Sequence, residues 1–150
     1  MDALLRWADR NWWLLGRVTR LHAAVYRATR GVVGHRFPGA PPVLLLDHRG
    51  ARTGTARTTP LVYAAYGDGF VVVASKGGHP RHPAWLHNLR AHPLTRVQVG
   101  ARRHTVRVRE ADAAERGRLW PVLVGVYGPF ETYRRRAGRD IPLLVLEPAR

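Results

Sequence analysis

The sequence predicts a mainly β domain of the α+β class, with short antiparallel strands closed into a barrel or sandwich and a few flanking helices. Three observations carry this. Short apolar, β-branched runs recur between glycine-bearing turns. The connections between them are too short for parallel crossovers, and helical signals after residue 42 are confined to two stretches. A chain of 150 residues buries roughly two-thirds of the surface its unfolded form exposes, enough for one core.

From Leu4 to Val25 the residues Leu4, Trp7, Leu14, Val18, Leu21 and Val25 recur at three-and-four spacing, which predicts one amphipathic helix within residues 1–30, its stripe interrupted at Asn11. Arg6, Arg10, Arg17, Arg20 and Arg27 fall mostly on the opposite face, with Trp12 and Trp13 at its margins. Two readings stand open. The stripe can dock on the core and leave the arginines solvated, or tryptophan and arginine together can seat the helix in an anionic membrane surface.

Glycines and prolines from Gly31 to Pro42 form a linker (residues 31–42), and the main domain occupies residues 43–150. Val43–His48 reads as a buried strand. Leu61–Tyr66 and Val71–Ser75 read as a hairpin turned at Gly67-Asp68-Gly69. Val97–Gly100 and Thr105–Val108 form a second pair, with Thr105 and Arg107 alternating against Val106 and Val108, and Leu143–Leu146 closes the set. Ala84–Ala91 reads as a helix opened by Pro83 at its first position, and Asp112 caps a helix running towards Tyr127, with Glu115 completing a capping-box-like pair.

Charge and composition then narrow the chemistry. Basic side chains number 25 against 10 acidic ones, giving +15, and Lys76 is the only lysine. Such a field attracts polyanions: nucleic acid, an acidic membrane or a phosphorylated small molecule. Absence of cysteine excludes disulfides, a thiol nucleophile and thiolate metal sites, so redox chemistry would need a borrowed cofactor. No apolar run reaches a signal-peptide core or the ~20 residues of a membrane span, so a cytoplasmic protein is expected.

Three segments hold groups suited to an anionic cofactor. Gly50 to Pro60 forms a turn rich in arginine, hydroxyls and glycine, without the Gly-Lys-Ser/Thr of a phosphate-binding P-loop. Ser75-Lys76-Gly77-Gly78 ends a strand and leads through Arg81 and Pro83 into a helix carrying Trp85 and Asn88 on one face, an anion site by charge and helix dipole together. Tyr127, Phe130 and Tyr133 share one side of a helical turn, as a pocket wall or as a core cluster. His79, His82, His87 and His92 lack a neighbouring carboxylate, so no metal site is expected; nor does a nucleophile elbow surround Ser75.

In this order the motifs resemble the deazaflavin-dependent nitroreductase and quinone reductase family, whose members use coenzyme F-420. The resemblance rests on Gly50-x-Arg52-Thr53-Gly54, Arg57-Thr58-Thr59-Pro60, Ala74-Ser75-Lys76-Gly77-Gly78, Pro83-x-Trp85-x-x-Asn88-Leu89 and Ile141-Pro142, and spans roughly Val43 to Pro148. It implies a split β-barrel like those that bind flavins. It also implies cofactor binding by Arg52, Thr53, Gly54, Arg57, Thr58, Pro60, Ser75, Lys76, Gly77, Gly78, Pro83, Trp85 and Asn88. Ala51-Arg52 stands where many relatives carry two cations, with Arg49 as the available substitute. The implied reaction is hydride transfer from the reduced coenzyme to a quinone-like or nitro-bearing acceptor, with Ser75, Tyr127 and Tyr133 beside the acceptor; Phe130 stands where some relatives have tyrosine. The alternatives are a non-catalytic coenzyme carrier, a reductase of another pathway's acceptor, or a basic nucleic-acid-binding module, although no specific nucleic-acid motif is present. The resemblance leaves the oligomeric state open, and it admits peripheral attachment of the first helix to the inner face of the cell membrane.

Overall fold

A computed structural model describes residues 1–149 and consists of a closed six-stranded antiparallel barrel with five helices. The elements run α1 (Asp2–Arg10), α2 (Trp12–Ala28), β1 (Val43–Arg49), β2 (Ala56–Tyr66), β3 (Gly69–Val73), α3 (Ala84–Ala91), β4 (Leu94–Val99), β5 (Arg102–Glu110), α4 (Ala113–Val126), α5 (Pro129–Ala137) and β6 (Leu143–Pro148). Around the barrel the order is β1-β2-β3-β6-β5-β4, closed by β1 against β4. Closure removes the exposed edges that an open sheet would present to other chains.

Alternation along the strands sends Leu44, Leu46, Val72, Val97, Val106, Leu144 and Leu146 inwards, where Trp85, Leu86 and Leu89 of α3 plug one end of the barrel. Each such leucine, fully buried, contributes about 1.5–3 kcal/mol. A second core lies outside the barrel, where Val71, Val73, Leu143 and Val145 pack on Leu119, Leu123 and Phe130 of α4 and α5.

The antiparallel order collects loops. The β1–β2 turn, the β3–α3 loop and the α5–β6 connection all leave the same end of the barrel, because Arg49 faces Ala56 and Val73 faces Leu143 in register. Sequence reading anticipated six strands in this order, but β2 begins at Ala56 and not Leu61, so Arg57 to Pro60 are paired with β1 and the first turn is confined to residues 50–55; the β2–β3 turn closes on Gly67-Asp68, with Tyr66 paired to Gly69.

Three local expectations need correction. Residues 1–30 form two helices, not one, because Asn11 leaves helical geometry (φ −107°, ψ 29°) and its side chain bonds back to the Trp7 carbonyl. Pro83 is the N-cap of α3 in an extended conformation, one residue before the helix. Asp112 does accept from the Glu115 amide at 2.8 Å, but the Glu115 carboxylate turns to Tyr66 and Arg109 instead of reciprocating.

Of the two readings of the N-terminal stripe, docking on the core does not describe it. Leu4 (67%), Val18 (57%) and Leu21 (66%) are exposed, and so are Trp7, Leu14 and Val25. The face that meets the barrel is made of Ala23, Tyr26 and partly buried Leu15, Thr19 and His22, residues a hydrophobicity pattern undervalues. Tyr26 is wholly buried. Its hydroxyl donates to the Val43 carbonyl at 2.9 Å and accepts from the Gly100 amide at 2.8 Å, so one side chain joins α2 to both β1 and the β4–β5 turn. Gly31 passes so close to Gly100 that a Cβ there would lie 2.5 Å from its Cα.

Candidate functional site

Loops gathered at one barrel end form the site. In the β1–β2 turn, Gly50 and Thr55 close the backbone at 2.9 Å and Gly54 bonds back to Gly50, so the intervening residues project into solvent. Arg49, Arg52 and Arg57 are exposed, and among the described residues none of them has a carboxylate partner. Lys76 and Arg81 are likewise without one. Thr53 is occupied locally, its hydroxyl accepting from the Thr55 amide.

Asn88 holds this turn to α3. Its Oδ1 accepts from the Ala51 amide at 2.9 Å, which fixes the orientation of the side-chain amide and aims Nδ2 at Nδ1 of His48, 3.0 Å away. A donor at Nδ2 requires an acceptor at Nδ1, so His48 carries its proton on Nε2 and donates it to Thr59 Oγ1 at 2.9 Å. Burial, and then the Arg57 guanidinium, push the His48 imidazole down to about 4. Asn88 and Trp85 are both buried, Trp85 in the barrel core, and Pro60 pairs with Leu45 within the sheet. Thr58 donates to Asp47 at 2.7 Å, where Arg27 of α2 also bonds.

Across the barrel end, Ser75 Oγ accepts from the Gly78 amide at 2.9 Å and leaves its own hydroxyl proton free to donate outwards. Gly78 has φ +77°, and a Cβ there would lie 2.7 Å from Tyr133 Cα, so only glycine lets α5 approach the loop. Arg136, one turn beyond Tyr133, donates to the Gly77 carbonyl at 2.8 Å and to Asp9 of α1 at 2.5 Å. The Lys76 ammonium lies 4.6 Å from the ring centroid of Trp12.

An aromatic wall completes the site. Trp120 donates to Glu131 at 2.8 Å and pins α5 to α4, while Tyr127, Phe130 and Tyr133 contact one another edge to face, with centroids 5.0–6.1 Å apart. Phe130 is core. Tyr127 and Tyr133 are half-buried with their hydroxyls 3.2 Å apart, so the triplet is partly core and partly wall. Burial, reinforced by the Tyr127 hydroxyl, raises the Tyr133 phenol, which therefore stays protonated. An open groove lined by Gly39–Pro42 and Val126–Pro129 borders Tyr127.

Of the residues singled out in the sequence, Arg52, Arg57, Ser75, Lys76, Tyr127 and Tyr133 thus stand at one barrel end with side-chain groups available. Asn88, Thr58, Trp85 and Pro60 are engaged within the protein. Sequence reasoning missed His48, Asp47, Tyr26 and Arg136. The polar pair Asp47-His48 inside an apolar strand was a readable signal; Arg136 in a run of three arginines was not.

The family profile described as F420H(2)-dependent quinone reductase matches residues 18–148. A Mycobacterium tuberculosis protein named as an F420H(2)-dependent quinone reductase is 43% identical over 144 residues, covering 94% of this chain and 95% of that one. A solved structure titled as an F420-H2 dependent reductase superposes with a TM-score of 0.66 at 34% identity, covering 71% of this chain and 94% of that chain. Another, described as a domain-swapped dimer, gives 0.68 at 31% identity over 90% of this chain and 97% of its own.

Proposed function

The chain belongs to the F420H(2)-dependent quinone reductase family, and from that premise we propose that its loop-bearing barrel end binds coenzyme F-420 and reduces a quinone-like acceptor. The observation that carries this reading is the set of cations without carboxylate partners, Arg52, Arg57 and Lys76, at the barrel end where Gly78 packs against Tyr133. The fit is chemical. A coenzyme with a phosphodiester and a glutamate tail asks for cations not already neutralised by carboxylates, and for backbone that a ligand can approach closely, as at Gly54.

When bound in its reduced form, the coenzyme supplies a hydride, a two-electron donor that needs no acid–base dyad from the protein. The chain's own residues bind, orient and exclude water. Arg52, Arg57 and Lys76 hold the anionic portion, and Asn88 acts as a positioning residue through the Ala51 amide. Tyr127 and Tyr133 cover the acceptor. Because their hydroxyls share one hydrogen bond, one proton of the pair is left to donate to an acceptor oxygen as negative charge develops, and the Ser75 hydroxyl supplies a second donor.

The test is a fluorescence titration with the oxidised deazaflavin against flavin mononucleotide, followed by mixing reduced coenzyme with menadione. Binding of the deazaflavin in preference to the flavin, with oxidation of the reduced form by menadione, is the expected result. A protein that binds the deazaflavin tightly but turns over no quinone or nitro acceptor would instead be a carrier.

The exposed stripe Leu4, Trp7, Val18 and Leu21, flanked by Arg17 and Arg20, supports a further element of this reading: the N-terminal helices lie on an anionic membrane surface, where lipid quinones reside. No helix among the described residues is long and apolar enough to cross a membrane. Sedimentation with anionic vesicles should carry the protein down, and Val18→Glu with Leu21→Glu should release it.

A further inference from the structure

We propose that Trp12 is a latch on the coenzyme site: its indole and the anionic group of an incoming ligand compete for Lys76, and the N-terminal segment swings off the Lys76–Gly78 loop when the anion binds. This rests on the reading of that loop as the anion-binding element and adds its regulation.

The physical conflict is local. A cation over an indole sits against the negative face of the ring quadrupole, and the same face repels a phosphate oxygen brought to the same ammonium. Lys76 has only this aromatic partner among the described residues, at 4.6 Å, and no carboxylate. Beside it Asp9 holds Arg136, the cation that also grips the Gly77 carbonyl. In the free protein the N-terminal segment therefore engages two cations of the loop region, one through a π face and one through a carboxylate, as an anionic ligand would.

The segment is built to move. None of the residues of α1 is buried; Leu5 lies near Gly77 and Asp9 pairs with Arg136, and Trp12, the exposed first residue of α2, sits on Lys76. Low burial is the mark of an element that opens at small cost. Because Trp12 lies on the α2 side of the non-helical Asn11, the indole leaves Lys76 when α1 and the exposed first turn of α2, Trp12 to Leu14, swing together, while the far end of α2 stays anchored through Tyr26. The segment pivots without leaving.

The single lysine makes a clean probe. Reductive methylation of the full chain with an isotopically labelled methyl group marks Lys76 and the N-terminal amine, and both keep their charge. The Lys76 methyl resonance should lie upfield under the indole ring current, and Trp12→Leu, a change at a half-exposed position, should return it to the value of a free lysine. Titration with pyrophosphate, and separately with the oxidised coenzyme, should drive the wild-type signal to that same value. Trp12→Leu should bind the coenzyme about two- to fivefold more tightly, as removal of a cation–π competitor implies. Asp9→Asn, which loosens α1 and leaves the indole in place, should also tighten binding.

If coenzyme fluorescence reports binding while the upfield Lys76 signal persists, the latch is wrong and the coenzyme reading stands. If pyrophosphate moves the signal and the coenzyme does not bind, the latch stands and the coenzyme reading fails. A Lys76 signal identical in wild type and Trp12→Leu would overturn the latch outright.

Discussion

Asn88 Nδ2 lies 3.0 Å from His48 Nδ1, and the orientation of that amide, set by the Ala51 amide proton on the other side, leaves His48 no room for a second proton. The folded-state pKa of about 4 lies below the ordinary value of 6.5, so between these values the unfolded chain binds more protons than the folded one. Stability contributed by neutral His48 is fully present above pH 6.5 and is lost as pH falls to about 4, to a total on the order of 3 kcal/mol. Urea denaturation across this window should show the decline, and His48→Gln should flatten it. Glu115, held near 2 by Arg109 and Tyr66, adds a separate loss only at lower pH.

Asn88→Ala removes a buried bridge between α3 and the β1–β2 turn and should cost about 1–3 kcal/mol of stability. Asn88→Asp is the more telling variant. Its carboxylate still accepts from Ala51 but presents an acceptor to His48, so the imidazole should titrate at higher pH, measured by NMR. An unmoved His48 titration would remove Asn88 from its assigned place in the site.

With Lys76 proposed to meet the coenzyme's anionic portion, Lys76→Ala should weaken binding roughly 10- to 100-fold. Wild-type affinity should also fall as salt rises from low to physiological strength, and the variant should show a shallower dependence. Equal salt slopes in the two proteins would mean that Lys76 does not meet the anion.

Tyr127→Phe and Tyr133→Phe each break the shared hydroxyl pair but leave one hydroxyl for the proposed donation to the acceptor. Each should lower kcat/KM for a quinone about threefold to tenfold with coenzyme affinity unchanged, and the double variant should lose more than the product of the two, in line with the contribution of a single oxyanion-type donor of about 2.7–4 kcal/mol. Stopped-flow oxidation of the reduced coenzyme measures this. Additive single effects would show that the hydroxyls act apart.

The strands and the α3 boundary were legible because period-two patterning and turn glycines are local signals. The two loops proposed to hold the anion stand out for the same reason, since their glycines and cations are contiguous. What escaped depends on contacts between distant residues. Leu4, Val18 and Leu21 look like a docking stripe, yet α2 meets the barrel through Tyr26, Ala23 and partly buried neighbours, because a hydroxyl with two backbone partners outweighs a stripe that finds no groove. Trp85 and Asn88 share a helix face as the spacing implies, but that face turns inwards, and Asn88 is accepted there because His48 and Ala51 satisfy it.

The closing seam of the barrel is short. Strand β1 meets β4 through Leu45↔Gln98 and Leu46↔Val97, whereas β1 and β2 are in register from Val43 to Arg49. One phenol rivets the two lips, since Tyr26 reaches Val43 on one side and Gly100 on the other. A protease cut between Thr29 and Val43 would leave the rivet on a detached fragment, and the cylinder would then unzip from this slit, offering two raw strand edges to a neighbouring copy. The leading helices are therefore a hoop around the vessel, and shortening the chain to ease its handling would trade away the closure itself.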